Sequence, residues 1–403
     1  MSIEAQCTLE ITRGLLARHP ARITGTPECR AAARSIAGEL EKHCTRVQEE
    51  RFEEHPGSLW NVGRIMAACY VAALALLLAG RFLSWAALAV AGLGMAYGLT
   101  IYVLYGRAFD WLFPRAEGRN VVGIIEPSAE VTRQVVVVSH HDGPYNFSFL
   151  LRAPALAGSR LIAGVLAYLF LVGSAIYGTV ASLLGRGPLG PVHLWLLAAG
   201  CIFAVPLFFL VTRTPSPGAG DNLNACAMGI TLARHFAAGA GAPLRHTRLV
   251  ILSTDGEEAG QRGARAYVER HLAEMRDLPT RVLNIDSVYE TRFLAALTRD
   301  RNGTLALARE MAEECRQLAA ARGRRLGLIA LPFGGGGTDA AQFARRGISC
   351  TSIVGLPTSL VSREVVYHTP RDTAEAIHPA AVEAVLDLAV DYVTACDRAQ
   401  CFE

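Results

Sequence analysis

Histidines and carboxylates follow the apolar segments of this 403-residue sequence at several points. The segment VVVVSHHDGP passes from four valines directly to His140, His141 and Asp142. The segment RLVILSTDGEEAG ends in an adjacent acidic pair, Glu257 and Glu258. Two neighbouring carboxylates repel each other unless they share a cation or a proton, so the pair indicates a metal or proton-transfer site.

Three further segments supply similar side chains. SPGAGDNLNACA places Asp221 in a glycine-rich turn, RVLNIDSV places Asp286 after apolar residues, and VVYHTPRD contains His368. Each residue alone is more simply explained as a cap, a turn residue or a hydrogen-bonded histidine, and Asp255 is interpreted as such a turn residue. As a set, the segments supply two histidines and four carboxylates, and one further carboxylate is available. These side chains suffice for two cations that share a bridging ligand.

A scaffold must bring these distant segments together. Strand-like and helix-like segments alternate through residues 1–63, 107–159 and 213–403, with strands near 46–52 and at NVVGIIEP, QVVVVSH, RLVILST, RVLNIDSV, FLAALT, LGLIALP and CTSIVG. This alternation predicts an α/β fold with a mostly parallel or mixed sheet flanked by helices. Chemistry in such sheets collects at the carboxyl ends of the strands, where the residues above lie.

Four uncharged runs interrupt the α/β pattern, at residues 65–80, 82–106, 161–185 and 187–212. The last three contain 25, 25 and 26 residues, enough to cross a hydrocarbon core of about 30 Å. The first contains 16 and is either a short span or a buried core helix. All four tryptophans lie near the edges of these runs, as in an aromatic belt. We predict two transmembrane hairpins, 64–106 and 160–212, inserted into a discontinuous domain formed by 1–63, 107–159 and 213–403.

Composition agrees with a mixed protein, because hydrophobic residues make up 51% and charged residues only 19%. Six arginines flank the spans on the side of the polar pieces and two lie in the opposite turns, which predicts a cytoplasmic catalytic domain with both termini in the cytoplasm. The ten dispersed cysteines, without a CxxC pair, favour a reducing compartment. The dispersed net charge of +3 argues against nucleic-acid binding. The oligomeric state is left open.

Six motifs in this order resemble those of the co-catalytic di-zinc exopeptidases, specifically the bacterial leucyl-aminopeptidase-like family. They are ARITGTPECRAAARSIAGELEKH, HHD, PGAGDN, GEEAGQRGARAYV, NIDSV and YHTPRDT. The segments GEEAGQRGA and GGTDAAQFARRGIS also resemble the tetrahedral aminopeptidases. The likeness covers nearly all of the three polar pieces. It implies the zinc aminopeptidase fold and hydrolysis of N-terminal residues from peptide substrates.

The resemblance also implies a ligand set for two Zn²⁺ ions, although Co²⁺ or Mn²⁺ would also fit such ligands. His140 and Asp286 would hold one ion, Glu258 and His368 would hold the other, and Asp221 would bridge both.

The remaining roles follow from the same resemblance. Glu257 would be the general base, taking a proton from a metal-bridging water and passing it to the leaving amine. Asp142 would orient His140, and His141 would point away from the metals. Thr338 and Asp339, in GGTDAAQ, are predicted to contact substrate.

One departure and several alternatives accompany this interpretation. Gly220 stands where many relatives have an acidic residue before the bridging aspartate. DGEEA also resembles glutaminyl cyclases, which have a single zinc, so a cyclase or another zinc amidase is one alternative. A non-catalytic receptor is a second, and a transporter a third, although His193 is the one candidate polar group in the spans.

The second hairpin separates His140 from Asp221, which should meet at one site. The catalytic cleft should therefore lie close to the lipid bilayer. We expect the spans either to admit amphipathic or membrane-delivered substrates or simply to anchor the enzyme.

Overall fold

The computed structural model describes residues 2–187, 189–237, 243–357 and 365–398. Within these residues eleven strands form, eight of them at the segments predicted as strands; Tyr145–Phe147, Val211–Pro215 and Leu305–Ala306 are strands that the sequence did not predict. The eleven strands are β1 (Arg46–Glu54), β2 (Ala116–Ile125), β3 (Arg133–His140), β4 (Tyr145–Phe147), β5 (Val211–Pro215), β6 (Thr247–Thr254), β7 (Thr280–Val288), β8 (Ala295–Asp300), β9 (Leu305–Ala306), β10 (Gly327–Ala330) and β11 (Ser349–Gly355).

The α-helices within the same residues comprise those of the α/β domain and those of the apolar runs. They are α1 (Ile3–Arg18), α2 (Pro27–Leu40), α3 (Gly57–Trp60), α4 (Val62–Ala79), α5 (Ser84–Gly98), α6 (Ser148–Arg152), α7 (Ala157–Leu183), α8 (Pro191–Ala204), α9 (Asn224–Phe236), α10 (Arg262–Asp277), α11 (Arg309–Ala321), α12 (Ala340–Ala344) and α13 (Pro379–Asp397).

A mixed sheet forms the centre of the domain. Its strand order is β1-β2-β6-β3-β7-β11-β8-β10, with β9 paired to β8. The central strands β6, β3, β7 and β11 are mutually parallel. Strand β2 pairs antiparallel to β1 and β6, and β8 pairs antiparallel to β11 and β9. The prediction of a mostly parallel or mixed sheet flanked by helices is therefore confirmed.

The four valines of β3 explain why this strand lies at the centre. Val135 and Val137 belong to one buried cluster, with α1, α2, α9 and α13 side chains, while Val136 and Val138 belong to a second cluster on the opposite face. Successive strand side chains point to opposite faces. A run of β-branched residues that is apolar on both faces therefore suits a strand covered on both sides.

Four helical segments are long and apolar enough to cross a membrane, namely Val62–Ala79, Ser84–Val103, Pro154–Leu183 and Pro191–Phe209. The first begins three residues before the predicted run, because Arg64 lies inside α4 and donates from Nη1 to Asn61 Oδ1 (2.8 Å). That gives this segment 18 residues. Tyr70, Tyr168 and several leucines and alanines pack between the segments as a cluster separate from the two beside the sheet.

Candidate metal centre

Asp221 lies between two histidines that come from opposite sides of the second hairpin. Its Oδ1 atom is 3.3 Å from His140 Nε2, and its Oδ2 atom is 3.2 Å from His368 Nε2. Asp286 Oδ2 is 3.9 Å from His140 Nε2, and Glu258 Oε1 is 3.3 Å from His368 Nε2. The five side chains thus form two adjoining groups, with the Asp221 carboxylate common to both.

Strand ends and turns produce this arrangement. His140 is the last residue of β3, and Asp286 lies near the end of the parallel strand β7. Asp221 precedes α9, and Glu258 follows β6 in the turn before α10. The carboxyl ends of neighbouring parallel strands meet at one edge of the sheet, so these side chains converge although they are distant in sequence.

Asp142 connects the histidine segment to the acidic pair. It is fully buried, and its two carboxylate oxygens accept hydrogen bonds from the backbone N–H groups of Glu257 (3.2 Å) and Glu258 (3.0 Å). Its Oδ1 atom is also 3.3 Å from His140 Nδ1, the ring nitrogen that faces away from Asp221. One carboxylate therefore orients a histidine and fixes the turn that carries both glutamates.

The site concentrates buried negative charge. Burial raises the pKa of Glu258 to about 7 and that of Asp286 to about 6, and it raises the pKa of Glu257 well above its usual range. Burial acts in the same direction on Asp221, but its contacts with His140 and His368 lower that pKa. Each carboxylate penalises the ionisation of its neighbours, so positive charge placed among them would stabilise their ionised forms.

The donor atoms fit divalent zinc. Two imidazole nitrogens and three carboxylates are ligand types that Zn²⁺ accepts. Among the described residues, buried Asp221 Oδ2 and His368 Nε2 make no well-aligned hydrogen bond although they lie 3.2 Å apart, as expected of two atoms that would share a cation. The arrangement can thus hold metal ions beside a carboxylate base.

Three other predicted positions lie outside the two groups. His141 is buried on the far side of the strand end, where Nδ1 is 2.9 Å from Ser253 Oγ and the ring lies near Cys29 and Asp255. Thr338 lines the cavity described below and bonds to Asp300. Asp339 is fully buried, is bonded by Thr254, and is absent from the cavity wall.

Arg22 holds the two sides of the second hairpin together, a role that the sequence pattern did not reveal. It is fully buried, and its guanidinium donates to the carbonyls of His141 (2.9 Å), Pro217 (3.0 Å) and Gly218 (2.7 Å). The only indication of this role in the sequence is that Arg22 lies in ARITGT, at the start of the first of the six motifs. By joining the turns after His140 and before Asp221, Arg22 sets their separation.

Asp372 and Tyr289 explain why residue 220 is glycine. Asp372 accepts hydrogen bonds from the backbone N–H groups of Gly220 (2.8 Å) and Asp221 (3.3 Å) and from the Tyr289 hydroxyl (2.9 Å). A Cβ atom on Gly220 would lie 2.1 Å from Tyr289 Cε1. The aromatic ring therefore fills the space that an acidic side chain would need.

The first apolar hairpin contacts the turn that carries the glutamates. The Trp60 indole, just before α4, donates to the Glu258 carbonyl (3.2 Å). Arg262, at the end of that turn, donates to Ser58 Oγ (3.1 Å) and to Asp110 Oδ1 (3.0 Å), on the two flanks of the same hairpin. These contacts place the acidic pair against both ends of the hairpin.

A cavity of about 280 Å³ extends from the metal centre. Its polar end includes Asp221, Glu257, Glu258, Asp286 and His368, and most of its remaining wall is aromatic or aliphatic. Tyr367 is part of this wall, and burial together with the Asp221 carboxylate raises its pKa well above the usual range. Its hydroxyl therefore stays protonated and can donate a hydrogen bond.

A sequence comparison matches residues 206–393 to peptidase family M28. This part of the chain is similar to that family. The M28 match includes Asp221, Glu257, Glu258, Asp286 and His368, but begins after His140. No curated protein matches the chain.

Solved structures extend the likeness to nearly the whole chain. A Zn-dependent exopeptidase from Parabacteroides distasonis superposes with a TM-score of 0.56 at 14% identity, covering 96% of this chain and 97% of that one. A leucine aminopeptidase precursor from Bacteroides thetaiotaomicron gives 0.53 at 13% identity, with 96% of each chain covered. An Acidobacteriales bacterium glutaminyl cyclase gives 0.57 at 14% identity, covering 99% and 96%.

At such identities these structures establish the fold. The predicted resemblance to zinc exopeptidases and the zinc aminopeptidase fold are confirmed, and the M28 match together with this fold supports a metallo-exopeptidase. His140 and Asp142, which precede the M28 match, lie on β3 and the turn after it, within the shared fold.

Proposed function

We propose that this protein is a membrane-integrated, zinc-dependent aminopeptidase that removes N-terminal residues from peptides. The observation that carries the proposal is the Asp221 carboxylate, whose two oxygens face His140 and His368 at 3.3 and 3.2 Å. A carboxylate shared between two ligand groups is the arrangement that a two-metal hydrolase needs.

In this proposal His140 and Asp286 hold one zinc ion, Glu258 and His368 hold a second, and Asp221 contributes to both. Zinc bound here would lower the pKa of a water molecule and polarise the carbonyl of the scissile peptide bond. Asp142 keeps the His140 ring in the orientation that directs Nε2 towards Asp221, through its contact with Nδ1.

Glu257 is the proposed general base. It lines the cavity beside the two ligand groups, and its backbone N–H is fixed by Asp142. The carboxylate accepts a proton from the attacking water and then delivers that proton to the nitrogen of the leaving peptide. The remaining wall of the cavity is mostly apolar, which leaves the metal-centre end as the place for the amino terminus of a substrate and favours an aminopeptidase.

The four apolar segments are proposed to span a membrane as two hairpins. The turns inside the two hairpins contain one arginine each, Arg81 and Arg186, whereas six arginines lie at the ends of the spans that face the catalytic domain. We therefore place that domain and both termini in the cytoplasm. The nine cysteines among the described residues are all free, which suits a reducing compartment; Cys401 lies outside those residues. Because the hairpins flank the site, substrates delivered from the membrane are part of the proposal.

The test combines metal analysis with peptide hydrolysis by the full-length protein. We expect about two zinc ions per chain, and faster cleavage of peptides with free amino termini than of N-acetylated ones. Glu257→Gln should lower kcat by about 10²- to 10⁴-fold, as removal of a general base does, while zinc remains bound. Glu290→Gln, which removes a carboxylate that pairs locally with Arg292, is the matched control and should keep full activity.

Equal activity of Glu257→Gln and the parent would remove Glu257 as the base. The solved cyclase structures of this fold motivate one further comparison. About one zinc per chain, with cyclisation of N-terminal glutamine in place of hydrolysis, would replace the aminopeptidase proposal with a glutaminyl cyclase.

A further inference from the structure

The catalytic cavity has charge at one end only. The carboxylates and His368 lie at the metal centre, and among the described residues of the cavity wall there is no lysine or arginine. A carboxylate or phosphate on the substrate, placed away from the metals, would be buried there without a counterion. Burying an unpaired charge is costly, so the wall discriminates against such groups.

The apolar wall comes from the ends of all four candidate spans that face the domain. Leu59, Trp60 and Val62 contribute at the first span, and Tyr102 and Tyr105 contribute at the second. Phe149, Leu150, Pro154, Ala157, Gly158 and Leu161 lie just before the third span or at its start, and Leu210 and Val211 follow the fourth. The cavity wall thus adjoins every candidate span. Its apolar end is therefore next to the proposed bilayer.

The border of the cavity is also apolar and exposed. Leu151, Leu156 and Phe333 are 45%, 51% and 57% exposed, and each is within two residues of a residue that lines the cavity. The loop that carries Phe333 is tied to the second span, because the Tyr102 hydroxyl donates to the Gly334 carbonyl (3.1 Å). The apolar inner wall is thus continued at its border by these three exposed apolar side chains, beside arginines such as Arg152 and Arg160.

We propose that the substrates are peptides with a free amino terminus whose first several residues are all apolar, and that they reach the cavity along the bilayer surface. This inference rests on the proposed aminopeptidase function and adds the substrate class. The acidic end binds the amine, the apolar wall binds the first side chains, and Phe333, Leu151 and Leu156 contact the residues that follow.

The size of the cavity indicates how many residues of a bound peptide lie inside it and how many lie at its border. Sites for drug-sized ligands usually occupy roughly 300–1,000 Å³, and this cavity has about 280 Å³. It therefore accommodates only the first one or two residues of a peptide. The following residues lie at the exposed border, where Phe333, Leu151 and Leu156 are available for apolar contact.

The experiment uses the zinc-loaded, full-length protein in phosphatidylcholine nanodiscs. Two peptides share an N-terminal leucine; one continues with four apolar residues, and the other has aspartate at its second and fourth positions. We expect kcat/KM to be about 10-fold or more higher for the apolar peptide, the discrimination that apolar contacts give. Leucine p-nitroanilide, which reaches only the inner cavity, measures the aminopeptidase reaction itself.

Phe333→Ser should reduce the preference for the apolar peptide several-fold. Trp111→Ser is the matched control, because Trp111 is an exposed aromatic residue (75%) beside the same spans but outside the cavity wall. It should leave the preference unchanged. An equal change in both variants would mean that general membrane contact causes the preference, and would overturn the proposed border.

Equal kcat/KM for the two peptides, with leucine p-nitroanilide still hydrolysed, would overturn the substrate class and leave the aminopeptidase intact. If neither peptide nor leucine p-nitroanilide is hydrolysed at full zinc occupancy, the proposed function itself is overturned.

Discussion

Replacing Asp142 by asparagine tests whether this residue organises the metal centre. The carboxylate accepts backbone hydrogen bonds from both Glu257 and Glu258 and contacts His140 Nδ1. An asparagine amide keeps one accepting oxygen and turns an NH₂ group towards the other donor. The variant therefore loses at least one hydrogen bond to a charged acceptor, which contributes about 1.5–3 kcal/mol.

Converted to an equilibrium constant, that range corresponds to roughly 10- to 150-fold, since about 1.4 kcal/mol is tenfold. It agrees with the 10- to 100-fold loss of metal affinity that is typical when the partner of a ligating histidine is removed. We expect Asp142→Asn to bind zinc about 10- to 100-fold more weakly and to lose kcat/KM in parallel at limiting zinc. Competition with a chromogenic chelator measures the affinity.

Asp397→Asn is the matched control for this experiment. Asp397 likewise accepts backbone hydrogen bonds, from Arg245, His246 and Thr247 (2.9 Å each), but it lies at the end of α13, far from the cavity. Its substitution should lower the melting temperature without changing zinc affinity. If Asp142→Asn binds zinc as tightly as Asp397→Asn, Asp142 has no role in orienting the ligands.

Two further predictions concern the packing beside the site and a pH-dependent ion pair. Gly220→Ala would force its Cβ into the Tyr289 ring, so it should destabilise the fold by about 1–3 kcal/mol and weaken zinc binding; an unchanged melting temperature would show that the ring has room to move. His271 Nε2 is 2.7 Å from Glu50 Oε1, and this contact raises the pKa of His271. Because a raised folded-state pKa stabilises the fold at low pH and the effect is lost as pH rises through that pKa, His271→Gln should lower the melting temperature more at about pH 6 than at about pH 9. A difference that is constant with pH would contradict the ion pair.

Local patterns predict eight of the eleven described strands and the residues that converge at the candidate metal centre, because both depend on short stretches of chain. Four valines buried on two faces indicate a central strand, and residues directly after parallel strands must meet at one edge. Helix α4 extends before the uncharged run because Arg64 lies in its first turn, where the guanidinium donates to Asn61 Oδ1.

The supporting contacts could not be predicted in this way. Trp60 reaches Glu258 across 198 positions, and Arg22 reaches Gly218 across 196. The Tyr289 ring beside Gly220 is likewise a tertiary contact. No periodicity or spacing encodes such pairs, because they arise only when separate elements pack. Glycine in place of an acidic residue was visible in the sequence, but its cause was not.

The division of the domain by two hairpins has a consequence for biosynthesis. His140 is synthesised before the second hairpin, Asp221 after it, and His368 near the end of the chain. The Glu257–Glu258 turn, which Trp60 contacts, is likewise synthesised after both hairpins. In the proposed membrane-integrated zinc peptidase, a ribosome-bound chain would therefore lack a complete metal site until His368 has been synthesised. The proposed enzyme would be inactive while its chain is still being made, and both hairpins would leave the ribosome before the site is complete.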